Sequence, residues 1–307
     1  MVSQLPLVSI ICPTYNHEKF IPQALDGFII QKTDFRFEII VHDDASTDNT
    51  AQIVKAYEAK FPHLFANIYQ SENQFSKAIG NVSKITFAAA KGKYLALCEG
   101  DDYWTDPFKL QKQVDYLEAH SAYSICWTRF KMFEQSSNSF IESDSHSDVE
   151  KFTDTEISLH NIFDPYITMT LTSVFRTSVI KGSEKFAYFK DNTLYALALS
   201  SGKGMVLGDI TAVYRKHAGG IWSALKYSVQ LMTDFDNFNE IYTKIPAAKT
   251  EHIKKWRDIK LNSAIAYAAQ DGSSKKMYRA LLIKKLKSGI MSEKLLTLKK
   301  IISLIRH

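Results

Sequence analysis

Three carboxylates lie within four consecutive positions of the stretch CEGDDYW, at Glu99, Asp101 and Asp102. The apolar run GKYLAL precedes them and a helix-like start, TDPFKL, follows, so they stand where a buried strand should end. Like charges this close disfavour one another unless a cation or hydrogen-bond donors hold them. Mg²⁺ and Mn²⁺ prefer such hard oxygen ligands and are commonly bound by one or two carboxylates together with substrate phosphates. The cluster therefore predicts a site for a divalent cation that carries a diphosphate.

A second acidic pair, Asp43 and Asp44, ends another predicted strand in the stretch FEIIVHDDAS. In open α/β sheets, ligands bind beyond the carboxyl ends of the strands, so both acidic groups should line one crevice. The alternative for Asp43 and Asp44 is an Asx-type turn that caps the following helix. That alternative is weaker for the cluster at 99–102, because Asp106 is better placed to cap the next helix.

Strands and helices alternate along the first 120 residues. The predicted strands are LVSIICP, FEIIV, FANIYQ and KYLALC. The predicted helices are HEKFIPQALDGFIIQ, STDNTAQIVKAYEAKF, SKITFAAAKG and DPFKLQKQVDYLEAH. Asp106 is predicted to cap the last of these helices. Farther along, YITMTLTSVFR is predicted to be rich in β-structure, NTLYALALSSGKG to be a helix and MVLGDITAVYRKH a strand, with a surface loop or lid over 134–156 and helices after Ile245. This order predicts an α/β fold with a doubly wound, mostly parallel sheet flanked by helices.

The composition is that of an ordinary globular protein, with 45% hydrophobic and 23% charged residues in a chain of 307. No apolar run approaches the roughly 20 residues that a membrane span needs. The N-terminal stretch MVSQLPLVSIICPTYN lacks the charged region and cleavage site of a secretory signal. Cys12, Cys98 and Cys126 each lie in an apolar segment, which predicts reduced thiols in the core. We therefore expect a cytoplasmic protein.

Four stretches, in order, resemble the sequence pattern of family 2 glycosyltransferases, which have the GT-A fold. They are VSIICPTYN, EIIVHDDASTDNT, GKYLALCEGDDYWTDPFKL and KDNTLYALALSSGKGMVLGDITAVYRKHAGGIW. The third stretch carries the D-x-D-type signature of the family, written here as Glu99-Gly100-Asp101 with Asp102 following. The resemblance covers residues 7 to about 223. It implies an inverting transferase that moves a sugar from a nucleotide diphosphate sugar to a hydroxyl group.

The resemblance also implies which residues contact the nucleotide. They follow three of the predicted strands and are Pro13, Tyr15, Glu18, Asp43, Asp44, Glu99 and Asp101. A carboxylate such as Asp44 can accept the imide N–H of uracil, which would otherwise be unpaired in the pocket, so UDP is the expected nucleotide. Glu99 stands where the family more often has Asp, and it would either bind ribose or position the loop.

The metal and the catalytic base are implied in the same way. Asp101, with Asp102 beside it, would bind Mn²⁺ or Mg²⁺, and His217 in YRKHAGG would approach the metal or the diphosphate. Asp191 in FKDNTLYAL would take the proton from the acceptor hydroxyl. The family often has two adjacent acids or Gly-Asp at this point, and Lys190-Asp191 departs from both. The alternatives are a helix cap for Asp191 and a structural role for His217.

The net charge of +5 is unevenly distributed. From residue 251 to 307, 14 Lys+Arg oppose 4 Asp+Glu, a net of +10, so the preceding 250 residues sum to −5. We expect a nucleotide-sugar-dependent catalytic domain over 1–240 and a basic helical region over 241–307. This region either packs on the catalytic domain or attaches peripherally to anionic lipid at the inner face of the plasma membrane. No recognition motif indicates nucleic acid as a partner.

The implied acceptor is a glycan or a polyprenyl-linked glycan, because bacterial members of the family often build cell-surface polysaccharide. Three other functions are alternatives. A metal-dependent nucleotidyltransferase would usually have a Gly-rich phosphate loop after the first strand, and CPTYNHEKF contains no glycine. An NAD-dependent enzyme would need G-x-G-x-x-G, which is missing there too. A non-catalytic nucleotide-sugar-binding module is the third alternative, and only activity distinguishes it.

Overall fold

The computed structural model describes residues 5–141, 153–164, 167–220, 225–270 and 275–287. The chain divides into two compact units, residues 1–217 and 218–307. The division therefore falls before residue 240, where the sequence suggested the boundary. The helix over Tyr227–Lys244 belongs to the second unit, because its Leu231 and Phe235 pack with Leu261 of a later helix. The assignment of catalysis to the first unit stays a prediction.

The first unit is built around parallel strands whose sequences are nearly continuous apolar runs. These strands are β1 (Val8–Thr14), β2 (Phe37–Asp43), β3 (Ile68–Tyr69) and β4 (Tyr94–Leu97). β1 lies between β2 and β4 and pairs with both in parallel, and β3 pairs with the outer edge of β2. Burial on both faces explains why these strands do not alternate between apolar and polar residues.

The other strands continue the same sheet beyond β4. They are β5 (Tyr103–Trp104), β6 (Tyr123–Glu134), β7 (Ser139–Ile141), β8 (Thr155–Ile157), β9 (Val174–Arg176) and β10 (Lys203–Lys216). The main path through the sheet is β3-β2-β1-β4-β9-β6-β10-β5. β9 is antiparallel to both β4 and β6, whereas β6 and β10 are parallel. The sheet is therefore mixed and mostly parallel, which confirms the predicted fold class.

Helices cover the sheet in the first unit and make up most of the second. The first unit contains α1 (Ile21–Ile29), α2 (Thr50–Lys60), α3 (Asn81–Ala89), α4 (Lys109–Ala119) and α5 (Asp191–Ser201). The second contains α6 (Tyr227–Lys244), α7 (Glu251–Gln270) and α8 (Lys275–Lys287). Among the described helices, none combines the length and the apolar character that crossing a membrane requires.

Two local predictions differ from the structure. α4 begins at Lys109 rather than at Pro107. The Asp106 carboxylate accepts the Phe108 N–H in front of the helix at 2.8 Å and the Lys112 ammonium at 2.8 Å. In the stretch predicted as β-rich, a 3₁₀ helix (Thr170–Thr172) precedes the short strand β9. The predicted loop over 134–156 contains β7 and the start of β8, and residues 142–152 of it lie outside the described part.

The core of the first unit lies on both faces of the sheet. Its residues come from β1, β2, β4 and the buried sides of α1 and α4, among them Ile10, Val41, Phe28 and Leu110. Cys12, Cys98 and Cys126 are buried and form no disulfide bonds, as the sequence predicted. Burial raises the pKa of all three thiols, so they remain protonated core groups.

Candidate active site

The carboxyl ends of β1, β2 and β4 meet at one edge of the sheet. Thr14 at the end of β1 is in register with Asp43 at the end of β2. After β4 ends, the chain still runs beside β1, because the Gly100 N–H donates to the Pro13 carbonyl at 3.0 Å. The Asp44 N–H donates to the Thr14 carbonyl, also at 3.0 Å. Both predicted acidic groups therefore border the same crevice.

Gly100 lets the acidic loop lie directly on the end of β1. A Cβ atom at this position would be 2.6 Å from Thr14 Oγ1 and 2.8 Å from Thr14 Cβ. Such contacts require the neighbouring atoms to move, so a larger residue would lift the loop away from the strand. The middle residue of the D-x-D-type signature is thus a glycine because a side chain there would clash with Thr14.

Asp101 is held between two histidines. Its Oδ2 atom is hydrogen-bonded to His217 Nε2 at 3.0 Å and lies 3.7 Å from His17 Nε2. Burial opposes the charged form of Asp101, but the His217 hydrogen bond and the nearby His17 ring outweigh it, so the pKa of Asp101 lies below its usual value. Asp101 is therefore a carboxylate at neutral pH, with imidazole nitrogens on one side of it.

Asp102 has a different environment, although it is the next residue. Its side chain is buried, and Oδ1 accepts the backbone N–H of Arg215 in β10 at 2.7 Å. Burial and the charges of Asp101 and Glu99 raise the pKa of Asp102 well above its ordinary value. These contacts favour anchoring of the loop to β10 over the predicted metal ligation by Asp102.

Arg215 completes that anchor. It is 8% exposed, and its guanidinium donates to the Asp101 carbonyl at 2.8 Å and to the side-chain oxygens of Gln135 at 2.8 Å and Gln23 at 2.6 Å. The same group lies over the rings of Phe20 and Tyr103, at 4.9 and 5.0 Å. Arg215 thus fixes the backbone on which Asp101 is mounted.

Glu99 lies at the start of the acidic loop and is half-buried. Burial, followed by the charges of Asp101 and Asp191, raises its pKa to about 8. At neutral pH Glu99 is therefore mostly protonated and can donate a hydrogen bond.

Asp43 and Asp44, at the end of β2, differ in the hydrogen bonds that their carboxylates accept. The two carboxylate oxygens of Asp44 accept the N–H groups of Gln74 at 2.7 Å and Phe75 at 3.0 Å, which holds the 73–76 loop. In Asp43, Oδ2 accepts the Ser46 N–H at 3.3 Å, whereas Oδ1 is buried without a hydrogen-bond partner in the described part of the chain. Asp43 Oδ1 is thus the carboxylate oxygen left to receive a ligand.

The residues after β1 line the same loop region. The Glu18 carboxylate accepts the backbone and side-chain N–H groups of Asn49 at 3.0 and 2.9 Å, next to the start of α2. Pro13 and Tyr15 are half-buried. The structure therefore places Glu18 in a contact that shapes the crevice, and the nucleotide contacts of Pro13, Tyr15 and Glu18 stay predictions.

Asp191 is the first residue of α5. Its Oδ1 accepts the N–H of Asn192 at 2.8 Å, and the preceding Lys190 is the residue at the cap position. A carboxylate in the first turn is stabilised by the unpaired N–H groups and the helix dipole. The side chain is half-buried.

Sequence reasoning missed His17 and Arg215. His17 follows β1 in the stretch TYNH, and a histidine so close to a strand end at the ligand-binding edge was a usable signal. Arg215 carried no such signal, because its role depends on contacts with Gln23 and Asp101, which are distant in sequence.

The residues present fit a divalent cation. Asp101 and His217 offer a carboxylate oxygen and an imidazole nitrogen, which suit Mn²⁺. Three buried side-chain atoms near the ends of β1 and β2, Thr14 Oγ1, His17 Nδ1 and Asp43 Oδ1, have no hydrogen-bond partner in the described residues. Within the described ranges no three potential ligands are already arranged as a metal site. A cation held by both Asp101 and His217 would have to replace the hydrogen bond between them.

Comparison with known proteins identifies the family. The model of "Glycosyl transferase family 2" matches residues 9–178. The uncharacterized protein Rv1520 of Mycobacterium tuberculosis is 36% identical over 219 residues, which are 70% of this chain and 60% of that protein. The chain thus matches only about three fifths of the length of this relative. The Escherichia coli enzyme WfaP, a UDP-Glc:α-D-GlcNAc-diphosphoundecaprenol β-1,3-glucosyltransferase, is 28% identical over 226 residues, 73% of this chain and 82% of the enzyme.

Solved structures agree on the fold. S. aureus TarS 1-349 in complex with UDP-GlcNAc has a TM-score of 0.61 at 21% identity, covering 97% of this chain and 89% of the TarS 1-349 chain. The Pyrobaculum calidifontis mannosyltransferase PcManGT in complex with GDP-Man and Mn²⁺ has a TM-score of 0.56 at 17% identity, covering 99% and 86%. At these identities the likeness concerns the fold alone. From the matched family model, the motifs and this architecture, the chain belongs to glycosyl transferase family 2 and has the GT-A fold.

Proposed function

We propose that the protein is an inverting, metal-dependent glycosyltransferase that moves a sugar from a UDP-sugar to a hydroxyl of a glycan or lipid-linked acceptor. One observation carries the proposal. The Asp101–His217 pair and the unpaired buried atoms of Thr14 and Asp43 meet at the carboxyl ends of the strands, where α/β proteins bind ligands. The family assignment makes a nucleotide sugar the ligand expected there.

The nucleotide is proposed to be UDP. Asp43 Oδ1 is buried and lacks a partner in the described part of the chain, so a base N–H is a favourable partner for it. Asp44 is the less suitable acceptor, because both of its oxygens already hold loop N–H groups. WfaP by its name uses UDP-Glc, and TarS binds UDP-GlcNAc, which support a uridine nucleotide.

Asp101 and His217 are proposed to hold Mn²⁺ or Mg²⁺ together with the diphosphate. A bound cation would offset the negative charge that develops on the departing nucleoside diphosphate. Asp101 suits this role because its lowered pKa keeps it ionised. PcManGT, which shares the fold, was solved with GDP-Man and Mn²⁺, and this supports a metal-dependent reaction. Arg215 and Asp102 hold the loop that carries Asp101.

Asp191 is proposed to be the catalytic base. Inverting transfer is a single displacement, in which a carboxylate must take the proton of the attacking hydroxyl. The other acids of the crevice are less suitable. Glu99 is mostly protonated at neutral pH, Asp101 is bonded to His217, and Asp102 is buried against β10. Asp191 is half-buried at the start of α5, and its charge is one of the causes that raise the pKa of Glu99.

The acceptor and location are proposed from the relatives and from the charge. WfaP by its name acts on a diphosphoundecaprenol-linked GlcNAc. A polyprenyl-linked acceptor would bring the enzyme to the inner face of the plasma membrane, where a C-terminal region of net charge +10 could contact anionic lipid. The proposed role is the synthesis of bacterial cell-surface polysaccharide by a cytoplasmic, peripherally bound enzyme.

The decisive test is calorimetric binding of UDP, GDP and dTDP, each with and without Mn²⁺. We expect UDP to bind most tightly and only with metal, and Asp101→Ala to weaken this binding at least about tenfold, the usual cost of disturbing a metal site. Asp115→Ala, which removes an exposed carboxylate of α4, is the control and should bind like the wild type. Failure of all three nucleotides to bind would contradict the proposal, and UDP binding without any sugar transfer would favour the binding-module alternative.

A further inference from the structure

His17 lies against the carboxylate that is proposed to bind the metal, and no role has been given to it so far. Its side chain is 16% exposed, and Nε2 lies 3.7 Å from Asp101 Oδ2. His217 Nε2 lies 3.0 Å from the same oxygen. Two imidazole nitrogens therefore approach one carboxylate oxygen, from the loop after β1 and from the end of β10.

The spacing of these atoms is close to that of metal ligands. For metal–ligand bonds of about 2.1 Å, two ligand atoms at right angles are about 3 Å apart. The two distances to Asp101 Oδ2, 3.0 and 3.7 Å, fall at or slightly above this spacing. The two imidazole rings are nearly perpendicular, at 87°, with centroids 6.2 Å apart, so they do not stack on each other. No three such ligands are preformed as a metal site in the described residues, so a cation shared by Asp101 and both Nε2 atoms would require these side chains to rearrange.

The Nε2 atom of His17 faces Asp101 without a hydrogen bond to it, because their separation of 3.7 Å is too long for one. This nitrogen is therefore available to a cation beside Asp101. The other ring nitrogen of His17, Nδ1, is buried without a hydrogen-bond partner in the described residues, and a cation on Nε2 would leave it so. The backbone of His17 is well fixed, because the His17 N–H donates to Thr50 Oγ1 at 2.8 Å and the His17 carbonyl accepts the N–H groups of Phe20 and Ile21.

We propose that His17 is a ligand of the divalent cation, together with Asp101 and His217, so that the protein supplies two imidazole nitrogens and one carboxylate. This inference rests on the proposed function, since it adds a residue to the same metal site. Phe20 supports the arrangement, because its ring packs on His217 at 4.6 Å and edge-on to His17 at 6.3 Å. Both imidazoles are therefore positioned by the first residues that follow β1.

Such a ligand set has a consequence for metal preference. Mg²⁺ is bound almost entirely through oxygen and keeps several waters, whereas the transition metals accept imidazole readily. A site with two imidazoles should therefore favour Mn²⁺ and Co²⁺ over Mg²⁺. Loss of one imidazole should reduce the affinity for Mn²⁺ and Co²⁺ more than the affinity for Mg²⁺.

The experiment is electron spin-echo envelope modulation on the full-length protein loaded with Mn²⁺ and UDP. We expect the wild type to show ¹⁴N modulation from two imidazoles, and His17→Ala and His217→Ala each to retain the modulation of one. Calorimetry with Mn²⁺ in the presence of UDP should show an approximately tenfold weaker affinity for His17→Ala. The Mg²⁺ affinity should change clearly less. His63→Ala, which removes an exposed histidine, should change neither signal.

The outcomes separate this inference from the proposed function. If the wild type binds no Mn²⁺ with UDP, the metal-dependent function itself fails. If the wild type binds Mn²⁺ but His217→Ala shows no nitrogen modulation, or His17→Ala keeps the wild-type modulation and affinity, only the role of His17 is overturned. The wild-type spectrum needs no variant, so a single imidazole there would contradict the proposal even if His17→Ala did not fold.

Discussion

Acidic residues that are neighbours in sequence have opposite electrostatic environments in this site. Asp101 is stabilised as a carboxylate by His217, whereas Glu99 and Asp102, on either side of Gly100-Asp101, are held towards their protonated forms by burial and by the charge of Asp101. Three acids that look equivalent in the sequence therefore comprise one ionised carboxylate, Asp101, which is the proposed metal ligand, and two acids whose pKa is raised. Separation of protonation states in this way is typical of sites in which each acid has its own task.

Asp191→Asn should abolish sugar transfer and leave donor binding nearly intact. The amide keeps an oxygen that can accept the Asn192 N–H, so α5 should begin as before, but it cannot take a proton. Loss of a general base usually reduces the rate by about 10²- to 10⁴-fold. The measurement is kcat for sugar transfer beside the Kd of UDP with Mn²⁺.

The control for this variant is Glu184→Gln, which neutralises an exposed acid in the segment before α5. It should leave both kcat and Kd unchanged. If Asp191→Asn weakened UDP binding as much as transfer, Asp191 would be a binding or structural residue instead.

At the scale of elements, the sequence was most informative where a strand is a continuous apolar run. β1, β2 and β4 were predicted from such runs, and their alternation with helices predicted parallel pairing and hence the edge at which Asp43 and Asp101 meet. β9 was hidden, because a strand of three residues after a 3₁₀ helix has no period of its own. Its position depends on antiparallel pairing with β4 and β6, which are distant in sequence.

The same limit explains which site residues could be predicted. Asp43, Asp101 and Asp191 follow strands or open a helix, so local pattern and motif locate them. The anchoring role of Asp102 could not be predicted, because its partner is the backbone of Arg215, more than a hundred residues away. His17 carried a local signal, but its proximity to His217 exists only in the folded sheet.

The first turn of α4 contains a buried lysine that links several elements. Lys109 is 0% exposed, and Nζ donates to Gln113 Oε1 at 2.6 Å and to the Thr172 carbonyl at 3.3 Å, while lying 4.3 Å from the centre of the Trp104 ring. No acidic side chain lies within ion-pair distance of it in the part of the chain that the structure describes. Burial lowers the pKa of Lys109 to about 7.

This lysine should make stability rise with pH above neutrality. In the unfolded chain it keeps its proton up to about pH 10, whereas the folded protein releases that proton near pH 7. Between these values the unfolded state binds more protons, so raising the pH favours folding. Relative to Lys109→Met, the free energy of unfolding of the wild type should increase by up to about 1.4 kcal/mol per pH unit from about pH 7.5 to 9.5.

The measurement is urea unfolding of the wild type and Lys109→Met across this pH range. Because cysteines and tyrosines titrate in both proteins, their contributions cancel in the difference between the two free energies of unfolding. Lys112→Met is the matched control on the same helix. Lys112 pairs with Asp106 and Asp209, and these hydrogen bonds raise its pKa, so its removal should give no such slope. A flat difference for Lys109→Met would show that Lys109 remains charged in the folded protein.

At the scale of the whole molecule, the charge is divided between the two compact units. The site lies within residues 1–217, and the excess of Lys and Arg lies beyond residue 250. Within the second unit, Leu231, Phe235, Leu261 and Leu281 form a small core of their own. An apolar core beneath a basic surface is consistent with both readings of this region, as packed helices with solvated lysines or as a contact for anionic lipid.

Full-length protein should therefore bind vesicles that contain phosphatidylglycerol and not vesicles of phosphatidylcholine alone. Each Lys or Arg near an anionic surface contributes about 1 kcal/mol, and salt screens this attraction. Co-sedimentation at low salt should detect binding that 0.5 M salt abolishes.

The double variant Lys276→Glu/Arg279→Glu, on the exposed side of α8, should weaken binding at least about tenfold. Lys19→Glu/Lys91→Glu makes the same charge change in the first unit and should bind like the wild type. Equal loss in both double variants would indicate a nonspecific effect of net charge, and no binding at low salt would favour the packed-helix reading. UDP calorimetry on the same samples would show whether the substitutions in α8 leave donor binding unchanged.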